Sequence, residues 1–370
     1  MHVRCLNIWG WDLLAFSDLL LLRKNLKALL EVPYFNAGIY AYITDLLEAI
    51  DYCTENFGDL DPKVVRGVSD LVWSSYTYIS NSNTKEIPYE LEYLLQSSLS
   101  EFVDLDSIII TAFTNNKMMF HFYNANVISG IQELLPQISL KSVDTHIIQV
   151  AMPKFYSRNA IYMIPMYHEL GHFMDRLYNI SEVMLLNSDS SLIDYMNLPE
   201  EFNNLSPKQK IYILKNHLAE YFCDTFAACF VGETITDFLA EIGASDYDSE
   251  THPATFKRKT HIENFLLGID TPITQSVSDT VALMGMKPLA RYFEEPNVST
   301  PLTEAITVQA ANRREVHGLL VSYWKYLKEV YSTVSLHEYS KEFNISNDLI
   351  VKSIRNYSIR EKWENVNSNA

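Results

Sequence analysis

The stretch PMYHELGHFMDRLYN at residues 165–179 decides how the rest of the chain is read. Pro165 suits a first helical turn, Asn179 suits a left-handed cap after Tyr178, and the residues between them read as one helix. On that helix His168 and His172 stand four residues apart and share a face, so both imidazoles can reach a single zinc ion. Glu169 is turned about 100° away from His168. It is placed to take a proton from a water acidified by the ion, and later to return it, rather than to complete the ligand set. The plain alternative is a surface helix with two unrelated histidines.

A catalytic zinc takes three protein ligands and keeps one position open, so a third ligand must lie elsewhere. Ser206-Pro207 signals a helix start and Gly232 a stop. Between them HLAEYFCDTFAACF at 217–230 puts Glu220 and Asp224 four apart on one face. Glu220 is the expected third ligand. Asp224 is expected to accept a hydrogen bond from the far nitrogen of a zinc histidine, and Ala227 and Ala228 to let the two helices approach closely. Competing ligands fare worse: Asp175 and Tyr178 break the HExxHxxGxxH pattern, and Glu182, Glu200 and Glu201 fall in a polar, irregular stretch.

Further on, THPATFKR at 251–258 contains a proline that keeps His252 out of a helix beginning just after it. His252 would stand at the positive helix end, suited to donate to the oxyanion of a tetrahedral intermediate. Arg258, nearly two turns along, would pair with a buried carboxylate such as Asp224. A surface turn with a surface arginine is the bland alternative.

HExxH, then ExxxD, then HPxxxxR resembles the gluzincins, and among them the CAAX prenyl proteases and bacterial heat-shock membrane metallopeptidases. The resemblance covers about residues 146–262. It implies that His168, His172 and Glu220 bind one catalytic Zn²⁺, that Glu169 is the general base, and that Asp224, His252 and Arg258 support them. Two departures stand out: the family commonly carries transmembrane helices, and its small residue before the aspartate is Cys223 here. EYFCDTFAA also resembles the third-ligand helix of the ImmA/IrrE-like peptidases, which cleave repressors in the cytosol.

Outside this region the chain is ordinary. Hydrophobic residues make up 48% and charged residues 20% of 370, the composition of a chain that buries a core. A formal charge of −17 repels a phosphate backbone, so no nucleic-acid partner is expected. The apolar run 9–22 is interrupted by Asp12 and Asp18, which argues for an amphipathic helix, against an integral membrane segment, and for a cytoplasmic protein. Cys5, Cys53, Cys223 and Cys229 form no CxxC pair and are expected to be reduced thiols.

Helical periodicity covers 13–30, 36–56, 62–79 and 88–102. SIIITAF at 107–113 and KMMFHFY at 117–123 read as strands joined by a hairpin turn at Thr114-Asn115-Asn116, and HIIQVAM at 146–152 as a third strand whose edge an extended substrate could join. Residues 303–331 read as the longest C-terminal helix, with a frayed tail at 365–370. His217 is expected to be capped or to face solvent, and His121, His146, His261, His317 and His337 to have core or surface roles. Tyr156, Tyr162 and Tyr167 lie near the site in sequence, with little weight for any of them.

The expected fold is α+β and predominantly helical, with a small zincin-type sheet beside the active-site and glutamate helices. A helical N-terminal region (1–105) would precede the catalytic core (106–272, with a flap at 181–205) and a helical C-terminal region (273–370). The expected activity is zinc-dependent hydrolysis of peptide bonds in an intracellular protein or peptide, with a regulatory protein partner a further expectation. The alternatives are a regulated, repressor-cleaving type of peptidase and a catalytically silent module that binds a partner.

Overall fold

The computed structural model describes residues 10–103, 108–114, 121–124, 126–142, 147–242 and 245–368. In chain order the elements are α1 (Gly10–Leu30), α2 (Gly38–Glu55), α3 (Pro62–Ile79), α4 (Tyr89–Leu99), β1 (Ile108–Thr114), β2 (His121–Asn124), α5 (Ile128–Leu134) and β3 (Ile147–Pro153). There follow α6 (Pro165–Tyr178), α7 (Ile180–Leu186), α8 (Ser190–Met196), α9 (Pro207–Val231), α10 (Thr255–Leu267), α11 (Pro272–Leu283), α12 (Ser299–Thr303), α13 (Arg313–Thr333) and α14 (Leu336–Ser368). The chain is predominantly helical, as its periodicity predicts. Among the described residues no helix is long and apolar enough to cross a membrane.

The described residues fall into two compact units, one drawn from 1–88, 105–113 and 123–149, the other from 89–104, 114–122 and 150–368. This division differs from the three consecutive regions expected, because α4 and the C-terminal helices belong to the same unit as α6 and α9.

The first unit is built on α1, α2, α3 and α5. Leu19, Leu22, Leu26 and Leu29 recur at three and four residues along α1 and bury one stripe against Ile43, Leu46 and Ile50 of α2 and Val65, Val68 and Val72 of α3. Asp61 caps α3 by accepting from the Lys63 amide at 2.8 Å, and Pro62 fills the first turn. Several of its buried polar groups are paired: Asp45 accepts the Ser142 amide at 2.6 Å, and Tyr42, Ser75 and Tyr78 bond in a chain.

The described strands lie in the order β1-β3-β2. β1 and β2 are therefore not paired as the hairpin expected from sequence; β3 enters between them, and residues 115 and 116 of the expected turn lie outside the described residues. As the central strand, β3 offers no free edge, so the substrate-pairing edge expected of it is also corrected.

In the second unit α6 packs along α9, with α7, α10 and α13 also against α9. Gln209 and Ser206 form a capping box at the start of α9 and Gly232 closes it, as the sequence signals predict. Residues 181–205 are not irregular: they form most of α7, all of α8 and a 3₁₀ turn at Glu200–Asn204. Ile180, Met184, Leu192 and Met196 are buried, Lys215 pairs with Glu182, and Lys257 donates to the Met196 and Asn197 carbonyls at 3.0 and 2.8 Å. The expected flap is thus a packed helical segment. The expected helix at 303–331 is broken as well, since Ala305 has a positive φ of 55° and α13 begins only at Arg313 behind its Asn312 cap. The 33-residue α14 is longer than α13 and runs to Ser368, through the part of the expected tail that is described.

Candidate metal centre

Pro165 at the first turn of α6 and left-handed Asn179 (φ 52°) at its end fix the helix that carries HELGH. His168 and His172 sit one turn apart with ring centroids 4.9 Å apart and planes perpendicular. His168 is fully buried, while His172 keeps 26% of its side chain exposed.

α9 brings Glu220 to both rings. His168 Nε2 lies 3.4 Å from Glu220 Oε2, and His172 Nε2 lies 3.4 Å from Glu220 Oε1. Ligands bound tetrahedrally at a metal's usual nitrogen and oxygen distances stand about 3.3 Å from one another, and both His–Glu220 separations match that spacing. Glu220 Oε2 is buried and makes no well-aligned hydrogen bond among the described residues, although a guanidinium nitrogen of Arg258 lies 3.2 Å away.

Asp224, one turn on, faces the other side of His168, with Oδ1 3.1 Å from Nδ1. The first turn of α10 delivers Arg258, which is fully buried and donates from Nε and Nη2 to the two oxygens of Asp224 at 2.7 and 2.6 Å. Its Nη1 lies 3.2 Å from Glu220 Oε2, so one guanidinium braces both carboxylates.

These contacts set the protonation of the site. Burial alone would raise the Glu220 and Asp224 carboxyls, but Arg258, with His168, outweighs it and holds both below the usual carboxylate range. Burial alone would lower His168, but Asp224 and Glu220 outweigh it and hold its pKa up at about 9. At His172 burial outweighs the attraction of Glu220 and lowers the pKa to about 4. Glu169 is buried on the same helix, and burial, reinforced by Glu220, pushes it up to about 7.

His252 lies in the loop before α10. Its Nδ1 bonds Thr251 Oγ1 at 2.8 Å and its Nε2 stands 3.6 Å from Glu220 Oε1, with 28% of the side chain exposed. His217, expected to be capped or to face solvent, is buried with Nε2 2.8 Å from the Ser249 carbonyl and so tethers this loop to α9. Asp248 accepts from the Ala254 amide at 2.7 Å and from Lys257 at 2.6 Å.

Of the seven residues singled out from sequence, six lie in contact: His168 and His172 on α6, Glu220 and Asp224 on α9, His252 in the loop before α10 and Arg258 in its first turn; Glu169 is buried on α6 next to His168. Two features went unpredicted. α6 and α9 approach closely at Gly171: a Cβ there would lie 2.8 Å from Cys223 Cα. Cys223 Sγ lies 3.2 Å from His172 Nδ1, so His168, His172 and Cys223 form a second set of donor atoms, all within 4.8 Å of one another. Glycine between the motif histidines and cysteine beside Asp224 were the available signals.

The remaining polar residues near the motif hold the fold. Tyr167 bonds His317 Nδ1 at 2.7 Å, His317 Nε2 lies 3.3 Å from Ser97 Oγ, and His261 bonds Thr225 Oγ1 at 2.7 Å, all buried. Tyr156 and Tyr162 stack at 3.6 Å between centroids. Compared with protein-family models, curated proteins and solved structures, the chain matches none.

Proposed function

We propose that this chain is a zinc-dependent peptidase of gluzincin type, with His168, His172 and Glu220 as ligands and Glu169 as general base. The observation that carries the reading is the convergence of both imidazole Nε2 atoms on the two oxygens of one carboxylate at 3.4 Å, on helices set by their own caps.

Zinc bound by these residues would supply Lewis-acid activation of a water molecule and of the scissile carbonyl. Glu169, next to the first histidine, takes the proton from the attacking water and passes it to the departing amine. His252, part exposed beside Glu220, donates from Nε2 to the oxygen that becomes negative as the carbonyl carbon turns tetrahedral. Asp224 accepts from His168 Nδ1 and so leaves its Nε2 lone pair toward Glu220. Arg258 keeps Asp224 and Glu220 ionised and in place. On this reading the three strands stand for the zincin sheet, the substrate is a protein or peptide, and the arrangement resembles the prenyl-protease branch through His252 and Arg258.

Glu169→Gln tests the mechanism. The variant should retain the zinc of the wild type while hydrolysis of casein or a peptide library falls about 10²- to 10⁴-fold, the usual share of a general base. Undiminished hydrolysis would overturn the assignment.

A further inference from the structure

His172 presents its two ring nitrogens to different residues, Nε2 to Glu220 Oε1 at 3.4 Å and Nδ1 to Cys223 Sγ at 3.2 Å. The nitrogens diverge across the ring, so one ion can use only one of them. His168 settles which. Its Nδ1 is held by Asp224 at 3.1 Å, leaving Nε2, 3.4 Å from the same Glu220, as the nitrogen it can offer. Both histidines can meet an ion at Glu220 through Nε2, and His172 Nδ1 is then left to Cys223.

Packing points the same way. Cys223 Sγ lies 3.2 Å from where a Cβ on Gly171 would stand, so the sulfur occupies the seam in which α6 and α9 meet. We infer that Cys223 is a positioning residue and not a metal ligand: its sulfur accepts the Nδ1–H of His172 and fixes the tautomer whose Nε2 lone pair faces Glu220. This rests on the zinc reading above. A partner of this kind aims a ligating histidine and is a carboxylate or carbonyl in most metal sites; here it is a carboxylate for His168 and a sulfur, a weak acceptor, for His172.

The test uses the full-length chain and Co²⁺ in place of zinc, followed by visible and near-ultraviolet absorption, with Cys223→Ala and Cys223→Ser beside the wild type. The wild type should bind one Co²⁺ per chain without a sulfur-to-cobalt charge-transfer band. Cys223→Ala, which removes the acceptor, should weaken binding roughly tenfold, and Cys223→Ser, whose hydroxyl accepts, should restore it to within about threefold. Thermal melting of each metal-free variant separates lost binding from lost folding. Unchanged affinity in a folded Cys223→Ala would overturn the positioning role. A charge-transfer band in the wild type would make Cys223 a ligand, and this outcome decides the question even if neither variant folds. Failure of the wild type to bind Co²⁺ or zinc would instead overturn the metal centre itself.

Discussion

The two units bury polarity in opposite ways. The first packs Leu, Ile and Val from α1, α2, α3 and α5, and its buried acid, Asp45, is satisfied by a backbone amide. The second buries His168, Glu169, Glu220, Asp224 and Arg258 in one cluster. Burying charge is costly unless each group is paired, and an apolar cluster of similar volume is often as stable or more so. A fold that needed only a core would resemble the first unit. The cost of the second is understandable if the cluster serves chemistry, since binding and catalytic sites are where such departures gather.

Breaking the charge balance should have the largest effect. Arg258→Met leaves Asp224 and Glu220 buried without their counterion, and urea unfolding of the metal-free variant should show a loss of about 3–5 kcal/mol. A loss below about 1 kcal/mol would mean that the cluster is no more demanding than the apolar core.

One substitution made in both units sharpens the contrast. Gly171→Ala drives a Cβ against the Cys223 backbone at 2.8 Å and should cost about 1–3 kcal/mol, with weakened zinc binding. Gly67→Ala on α3 meets only the end of the flexible Leu134 side chain at 3.0 Å, and alanine's helix propensity offsets that crowding, so its effect should stay under about 1 kcal/mol. Equal losses would remove the distinction between the two seams.

The smallest effect concerns a neutral buried histidine. Burial lowers the pKa of His317 to about 3, below the ordinary unfolded value of about 6.5. The unfolded chain therefore binds the proton first, and the stability His317 contributes is complete above about pH 6.5 and is lost as pH falls toward 3. The stability gap between wild type and His317→Phe should narrow by roughly 1 kcal/mol from pH 7 to pH 5.5. A gap that does not change with pH would mean that His317 is not held neutral.

Much of this was legible in the sequence. Local rules place α6 and α9 well: Pro165, Asn179, Ser206 and Gly232 act on their own helices, and four-residue spacing puts His168 with His172 and Glu220 with Asp224 whatever surrounds them. What could not be read was which face meets which neighbour. Gly171 against Cys223, Cys223 against His172, His217 holding the Ser249 carbonyl and β3 entering between β1 and β2 all join residues distant in sequence, where periodicity is silent. Residues 181–205 concealed two helices because each is only seven residues long, too short for a three-and-four repeat to declare itself, although Met184, Leu192 and Met196 suffice to bury one side.

On the proposed function one zinc ion sits among His168, His172 and Glu220. Anomalous diffraction from zinc-loaded crystals, collected on either side of the zinc edge, tests it most directly. A single peak within about 2.0–2.2 Å of both Nε2 atoms and of a Glu220 oxygen is the predicted result. A peak bonded to Cys223 at about 2.3 Å, or none among these residues, would contradict it.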